Sequence, residues 1–260
     1  MNSKRTLEAS IEEACEVLSR LVVPLYIDVN EKPALVGTAF FVTYEDQTLL
    51  VSAAHVLDVL RTSNLYYYIE PAVKQRVLGR VLQTKYEGPR SKDPIDLGVV
   101  RLLPGLQPPY AAVQKFPMTA EYLDYWDAPS KGKRYVLIGF PASRSTLRRH
   151  PSQVIVKPYA YLARIAESKV GAPSGTNPAQ LALHFDKKRC HDLSGKATQF
   201  PKPHGLSGSP IFELYDEDST TASRIFQVAG IVTTWGKQNH EIIGTRVHEL
   251  RQILSAATAA

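Results

Sequence analysis

Apolar residues recur along this chain in two rhythms. Over Met1–Arg20, Leu7, Ile11, Ala14 or Cys15, and Leu18 fall at helical spacing with glutamates mainly between them, which predicts an N-terminal helix within residues 1–21. From Leu21 onward the pattern changes to short β-rich runs: Val22–Val29, Leu35–Tyr44, Thr48–Ser52, Leu65–Ile69, Arg76–Tyr86 and Leu97–Leu102. Turn-rich pieces such as Asn30-Glu31-Lys32-Pro33 and Glu87-Gly88-Pro89-Arg90 separate them. A stretch of about 104–131 follows, holding Pro104, Pro108, Pro109, Pro117 and Pro129, and reads as a linker. The style then repeats in Arg134–Phe140, Gln153–Ile165, Leu181–Phe185, Pro210–Leu214 and Ile225–Thr234, before a closing helix expected over about Arg246–Ala256. Short strands at near-regular spacing, in two sets of about six, predict an all-β chain of two packed antiparallel barrels. The first would span about 22–103 and the second, with the closing helix, about 132–260. Glu167–Asn177 and Lys187–His204 are expected to be long loops.

Composition narrows the class. A chain of 260 residues, 44% hydrophobic and 22% charged, can bury one large core or two small ones packed together, and is neither disordered nor collagen-like. No apolar run approaches the roughly 20 residues that span a bilayer, so no membrane partner is expected. The first twenty residues lack the uninterrupted apolar stretch of a signal peptide, and Cys15 and Cys190 are too few for a disulfide scaffold, which predicts a cytoplasmic protein. The net charge is +6, but the basic clusters Arg148-Arg149 and Lys187-Lys188-Arg189 carry no regular aromatic interleaving. They read as solvated loops, and no nucleic-acid partner is expected.

Three segments carry candidate chemistry. Gly37-Thr38-Ala39-Phe40-Phe41-Val42 leads into Leu49-Leu50-Val51-Ser52-Ala53-Ala54-His55-Val56, where a strand delivers a histidine just beyond its end. Asp96-Leu97-Gly98-Val99-Val100-Arg101-Leu102 sets an acid at the mouth of a strong strand. In Gly205-Leu206-Ser207-Gly208-Ser209-Pro210-Ile211-Phe212, glycines flank a serine, so the backbone can turn its amides toward a common point.

From about Val22 to about Gly236 the chain resembles the trypsin/chymotrypsin-like serine protease family. The family's histidine motif is met by Ser52-Ala53-Ala54-His55, its aspartate motif by Asp96-Leu97-Gly98-Val99-Val100, and its serine motif by Gly205-Leu206-Ser207-Gly208-Ser209-Pro210. The strand that pairs with bound substrate is matched by Gly230-Ile231-Val232-Thr233-Thr234-Trp235-Gly236. One residue is inserted there relative to the family spacing, which leaves the separate roles of Thr233 and Thr234 open. Chain order supports the resemblance: His55, Asp96 and Ser207 follow one another 41 and 111 residues apart. Subtilisin-type enzymes place the acid first and α/β-hydrolases the serine, and their Gly-x-Ser-x-Gly elbow would need glycine where Ser209 stands.

The resemblance implies a serine endopeptidase acting on a protein or peptide substrate, with no metal or organic cofactor. His55 would take the proton of Ser207 and pass it to the leaving amine, Asp96 would hold the other ring nitrogen, and the N–H groups of Gly205 and Ser207 would form the oxyanion hole. Asp93 competes for the acid role but lies three residues earlier, with Pro94 intervening. The adjacent Cys190-His191 cannot form a nucleophile–base pair with each other, and Cys15, Cys190, His191, His204 and His240 show no paired metal-ligand spacing. The alternatives carried beside the peptidase are a silent peptide-binding module of the same fold and an esterase using the same triad.

Departures from the secreted digestive members carry further expectations. Those members place an acid just before the nucleophile to pair with a new N-terminus; Leu206 stands there, so activation by N-terminal cleavage is not expected. The segment that would line the specificity pocket holds Pro201, Lys202 and His204 and supplies no carboxylate, leaving Glu241 as an acid from elsewhere. Thr233, Thr234, Trp235 and Gly236 are the expected substrate-pairing edge. Control is expected from the N-terminal helix, a regulatory partner protein or substrate supply.

Overall fold

The computed structural model describes residues 16–70, 73–103, 117–123, 134–144, 146–147, 154–155, 158–165, 177–185, 190–191, 197–199, 202–214, 226–236 and 240–258. Only residues 16–21 of the expected N-terminal helix fall inside this set; 16–19 are helical, Arg20 and Leu21 form a turn instead, and Leu18 is fully buried. The rest of that helix, most of the expected linker, the expected loop 167–176 and Pro201 lie outside the described residues.

The first half forms β1 (Val22–Val29), β2 (Lys32–Tyr44), β3 (Gln47–Ala53), β4 (Tyr66–Glu70), β5 (Val73–Arg76), β6 (Gly79–Gln83) and β7 (Leu97–Leu102). They pair in the order β5-β4-β1-β2-β3-β7-β6, all antiparallel. The single strand expected over Arg76–Tyr86 is instead two, because this segment changes partner. Val77 N–H donates to Leu65 O (2.8 Å), while Leu78 O accepts from Leu103 N–H (3.1 Å). One piece of chain therefore hydrogen-bonds to both ends of the sheet and curls it into a barrel. Gly79 stands at the hand-over, where a Cβ would collide with the Arg101 carbonyl. A short strand β8 (Met118–Thr119), inside the expected linker, adds to β2 in parallel, a departure from the all-antiparallel expectation.

The second half forms β9 (Arg134–Gly139), β10 (Thr146–Leu147), β11 (Val154–Ile155), β12 (Tyr159–Ile165), β13 (Gln180–His184), β14 (Cys190–His191), β15 (Ala197–Thr198), β16 (Pro210–Leu214), β17 (Phe226–Gly236) and β18 (Glu241–Arg246). The order β13-β18-β17-β16-β9-β12, with β12 also paired to β13, closes six strands into a ring. The pair β14–β15 extends from β12, and β10–β11 forms a separate two-stranded sheet. A helix over Val247–Thr258 follows directly on β18.

Burial explains why β2 reads as a continuous apolar run. Successive side chains on a strand face opposite ways. Ala39 and Phe41 enter the first barrel with Leu25, Leu50 and Val100, whereas Phe40 and Val42 face outward into a second apolar cluster. That cluster lies on the seam: Val22 and Leu49 of the first barrel meet Val136, Ile138 and Phe212 of the second, and Leu250 and Leu254 of the terminal helix join them. Each such side chain contributes about 1.5–3 kcal/mol by leaving water. A third cluster around Leu137, Tyr161 and Phe185 fills the second barrel. The two barrels are thus joined by a core of their own.

Candidate active site

His55 lies on the short helix Ala54–Leu57 immediately after β3. Its neighbours must be small: Ala53 and Ala54 have no exposed surface, and Gly98 of β7 lies so close that a Cβ there would sit 2.8 Å from Leu57 Cδ1. Asp96 enters β7 with a left-handed φ of 43°. Its carbonyl accepts from Ala54 N–H (2.9 Å), and Oδ1 accepts from His55 N–H (2.9 Å). Oδ2 is 2.5 Å from His55 Nδ1, so backbone and side chain together fix the imidazole against the carboxylate.

The strained turn before Asp96 is braced from several sides. Asp93, its side chain 2% exposed, accepts from Arg90 Nη1 (2.6 Å), Thr84 Oγ1 (2.9 Å), Ile95 N–H (3.0 Å) and the Asp96 N–H. Burial works to raise the Asp93 pKa, but these donors outweigh it and hold it below the usual carboxylate value. The second barrel adds two struts: Gln180 Nε2 donates to Pro94 O (2.8 Å), and the Thr245 hydroxyl donates to Ile95 O. Asp93, the competitor for the acid role, points into this brace and not at His55.

Ser207 sits in the turn between Gly205 (φ 93°) and Gly208 (φ 88°), both in the region that favours glycine. Four consecutive carbonyls of the turn are occupied: His204 O by Ala142 N–H (2.7 Å), Gly205 O by Thr38 Oγ1 (2.7 Å), Leu206 O by Ser209 N–H (2.8 Å) and Ser207 O by Thr38 N–H (2.9 Å). In a trans peptide the N–H points opposite to the C=O of the same plane. Fixing His204 O and Leu206 O therefore aims the N–H groups of Gly205 and Ser207, and among the described residues neither donates to a backbone carbonyl. The Ser207 hydroxyl donates to Thr233 O (3.4 Å), not to His55.

His55, Asp96 and Ser207 line one cavity of about 690 Å³ at the seam of the barrels. Along it, β16 pairs with β17 only as far as Pro210–Ile231, whereas β18 continues alongside β17 to Gly236. Along Thr233–Gly236, β16 therefore no longer covers the β17 edge opposite β18. The inserted residue of this stretch is absorbed by a bulge, since Val232 pairs with Gly244 and Thr234 with Ile243. Thr233, the unpaired one, is buried and donates its hydroxyl to Ile243 O (3.2 Å), while Thr234 is exposed.

No protein-family model matches the sequence, and no curated protein does. Among solved structures, the scabies mite inactivated protease paralogue S-I1 superposes over 94% of this chain and 97% of its own, with a TM-score of 0.53 at 13% identity. The fold is chymotrypsin-like. That neighbour is an inactivated paralogue by its own description, so the likeness speaks for the architecture, and the chemistry rests on the residues of this chain.

Of the residues expected in the specificity pocket of this chymotrypsin-like chain, His204 lines the cavity, Lys202 is exposed and outside the lining, and Glu241 is also outside it. Leu206, Val232, Trp235 and Ile242 give the cavity an apolar wall beside Ser207. Leu206 is 1% exposed within the second-barrel cluster, where a charged terminus would find no partner. The contacts of Thr38 and Ala142 with the serine turn, and the struts from Gln180 and Thr245, join residues far apart in the chain and carry no local motif. One signal was available: Thr38 is the lone hydroxyl within Leu35–Val42.

Proposed function

We propose that this chain is a serine endopeptidase that cleaves peptide bonds through an acyl-enzyme. The observation that carries the reading is the convergence of His55, held at 2.5 Å by Asp96, and Ser207 on one cavity from opposite barrels. A serine hydroxyl is a weak nucleophile and needs a neighbouring base. On rotating from Thr233 O toward His55, Ser207 Oγ would give its proton to Nε2 and attack the scissile carbonyl carbon. Asp96 fixes the proton on Nδ1 and stabilises the imidazolium, and the amides of Gly205 and Ser207 would receive the oxyanion. The C–N bond then breaks, the amine leaves with the proton from His55, and water repeats the sequence to free the acid.

The open edge of Thr233–Gly236 suits an extended peptide added as a strand, with main-chain hydrogen bonds supplying affinity. The apolar cavity wall would take the side chain before the cut. Among the described residues no helix is long and apolar enough to cross a membrane, and a cytoplasmic address remains part of this proposal. A second reading, a silent module that holds a peptide on the same edge, draws support from the Ser207–Thr233 hydrogen bond and from the inactivated neighbour.

A fluorophosphonate carrying a fluorophore separates the two, because only an activated serine reacts with it. The purified chain beginning at Met1 should label without trimming, and Ser207→Ala should abolish labelling while leaving the melting curve in place. Absence of labelling on the intact, folded chain would favour the silent module. Labelling confined to an N-terminally cleaved species would contradict the reading of Leu206.

A further inference from the structure

Thr38 has no exposed surface, and every one of its polar groups is engaged away from its own strand partner. On β1 it faces Pro24, which has no N–H to offer, so its own N–H and carbonyl turn to the other edge of β2. There, pairing with β3 begins only at Phe40–Val51, and the turn bearing Ser207 occupies the space. Thr38 N–H donates to Ser207 O (2.9 Å), and its carbonyl accepts from Ser52 Oγ (2.7 Å), three residues before His55. Its hydroxyl accepts from Phe140 N–H (3.1 Å), at the end of β9, and donates to Gly205 O (2.7 Å).

The hydroxyl carries a single proton, so the acceptance from Phe140 gives the donation to Gly205 a fixed direction. The peptide planes of this turn alternate. Those that bear the Gly205 and Ser207 amides are fixed through His204 O and Leu206 O; those between and after them are held at their carbonyls by Thr38 and at their N–H groups by the Leu206 N–H bond to Pro203 O (3.1 Å) and the Gly208 N–H bond to Val232 O (2.7 Å). Loss of the hydroxyl leaves the 205–206 plane, which lies between the two amides, held only by the longer Leu206 N–H bond to Pro203 O (3.1 Å). Gly205, at a φ of 93°, has no Cβ to resist rotation.

Resting on the serine-hydrolase reading above, we propose that the Thr38 hydroxyl is a positioning group for the oxyanion-binding amides, a strut from the first barrel that sets the nucleophile turn of the second. It touches no substrate. Its effect passes through the orientation of the Gly205 and Ser207 N–H groups, which matters when negative charge develops and little when a ligand first docks.

The test uses Thr38→Val, Thr38→Ser and the unsubstituted full chain, each reacted with the fluorophosphonate across a concentration series. Thr38→Val keeps the shape and both backbone bonds and removes the hydroxyl. It should lower the limiting rate of labelling about 10- to 100-fold with the half-saturating concentration unchanged, since loss of one oxyanion donor altogether costs roughly 100- to 1000-fold. Thr38→Ser should recover the rate to within about threefold. A merely structural residue would shift the melting temperature without this split and without rescue by serine. Thr38→Ala replaces the valine variant if circular dichroism finds that variant unfolded. An unchanged limiting rate in either hydroxyl-free variant, against a reactive parent, overturns the Thr38 proposal and leaves the serine reading standing. A parent chain that never labels removes both.

Discussion

Asp96→Asn tests the site most directly, because the structure dictates which way the new amide must face. Oδ1 of Asp96 receives a proton from His55 N–H, a backbone donor that cannot turn away, and Oδ2 lies 2.5 Å from Nδ1. The asparagine oxygen must therefore stay on the backbone N–H, and its NH2 group falls on Nδ1 as a second donor. Nδ1 becomes an acceptor, the ring proton moves to Nε2, and that nitrogen can no longer receive the proton of Ser207. Forcing the reactive tautomer back leaves a buried donor facing a donor, at about 1–3 kcal/mol, and forfeits a charge-assisted hydrogen bond of about 1.5–3 kcal/mol. The total of about 2.5–6 kcal/mol corresponds to roughly two to four orders of magnitude in rate, the upper end matching the about 10⁴-fold loss typical of this exchange. The assay is the rate of fluorophosphonate labelling, with thermal melting as control; melting should move little, because the amide keeps the bond to His55 N–H. Labelling of Asp96→Asn within threefold of the parent would refute the reasoning. So would a collapse of labelling in folded Asp93→Asn that Asp96→Asn does not share.

Two further outcomes follow from the same geometry. A peptide-library profile should not be dominated by Lys or Arg before the cut, since the carboxylates lining the cavity among the described residues are Asp93, paired with Arg90, and Asp96, held by His55; near-exclusive basic preference would overturn this. Because the folded pKa of Asp93 is depressed, its contribution is complete above the unfolded carboxylate value and is lost as pH falls through the folded one, so the urea midpoint should drop below about pH 4 and drop less steeply in Asp93→Asn. Parallel pH curves for the two chains would count against the brace around Asp96.

Strands set off as short apolar runs between polar or turn residues were legible residue by residue: Val22–Val29, Leu97–Leu102 and Pro210–Leu214 are found with the expected bounds. Misses occurred where a strand's partner, not its composition, sets its ends. Arg76–Tyr86 looks like one apolar run, yet it hands over between β4 and β7 at Val77–Leu78, a fact of three-dimensional closure that no local pattern carries. Glu241–Arg246 escaped because Gly244 weakens its strand signal; a Cβ there would lie 2.8 Å from the Ile231 carbonyl oxygen, a backbone atom that cannot swing aside. The three candidate residues were legible because each lies in a short local segment of recognisable pattern. Their supports, Thr38, Gln180 and Thr245, were not, because each acts across more than 80 residues of chain.

The apolar seam between the barrels has a consequence for how the molecule is made. At a synthesis rate of roughly 5–20 residues per second, about 150 residues and hence about 8–30 s separate the appearance of Leu102 from that of Leu254. When Leu102 appears, Phe40, Val42 and Leu49 belong to a cluster of which fourteen of twenty-three buried residues are still untranslated. Until the second half is made, that apolar face of the growing chain is a surface open to non-specific association. The cleft, which exists only once the seam closes, is the last feature to appear, so a ribosome-bound first half carries His55 and Asp96 without Ser207.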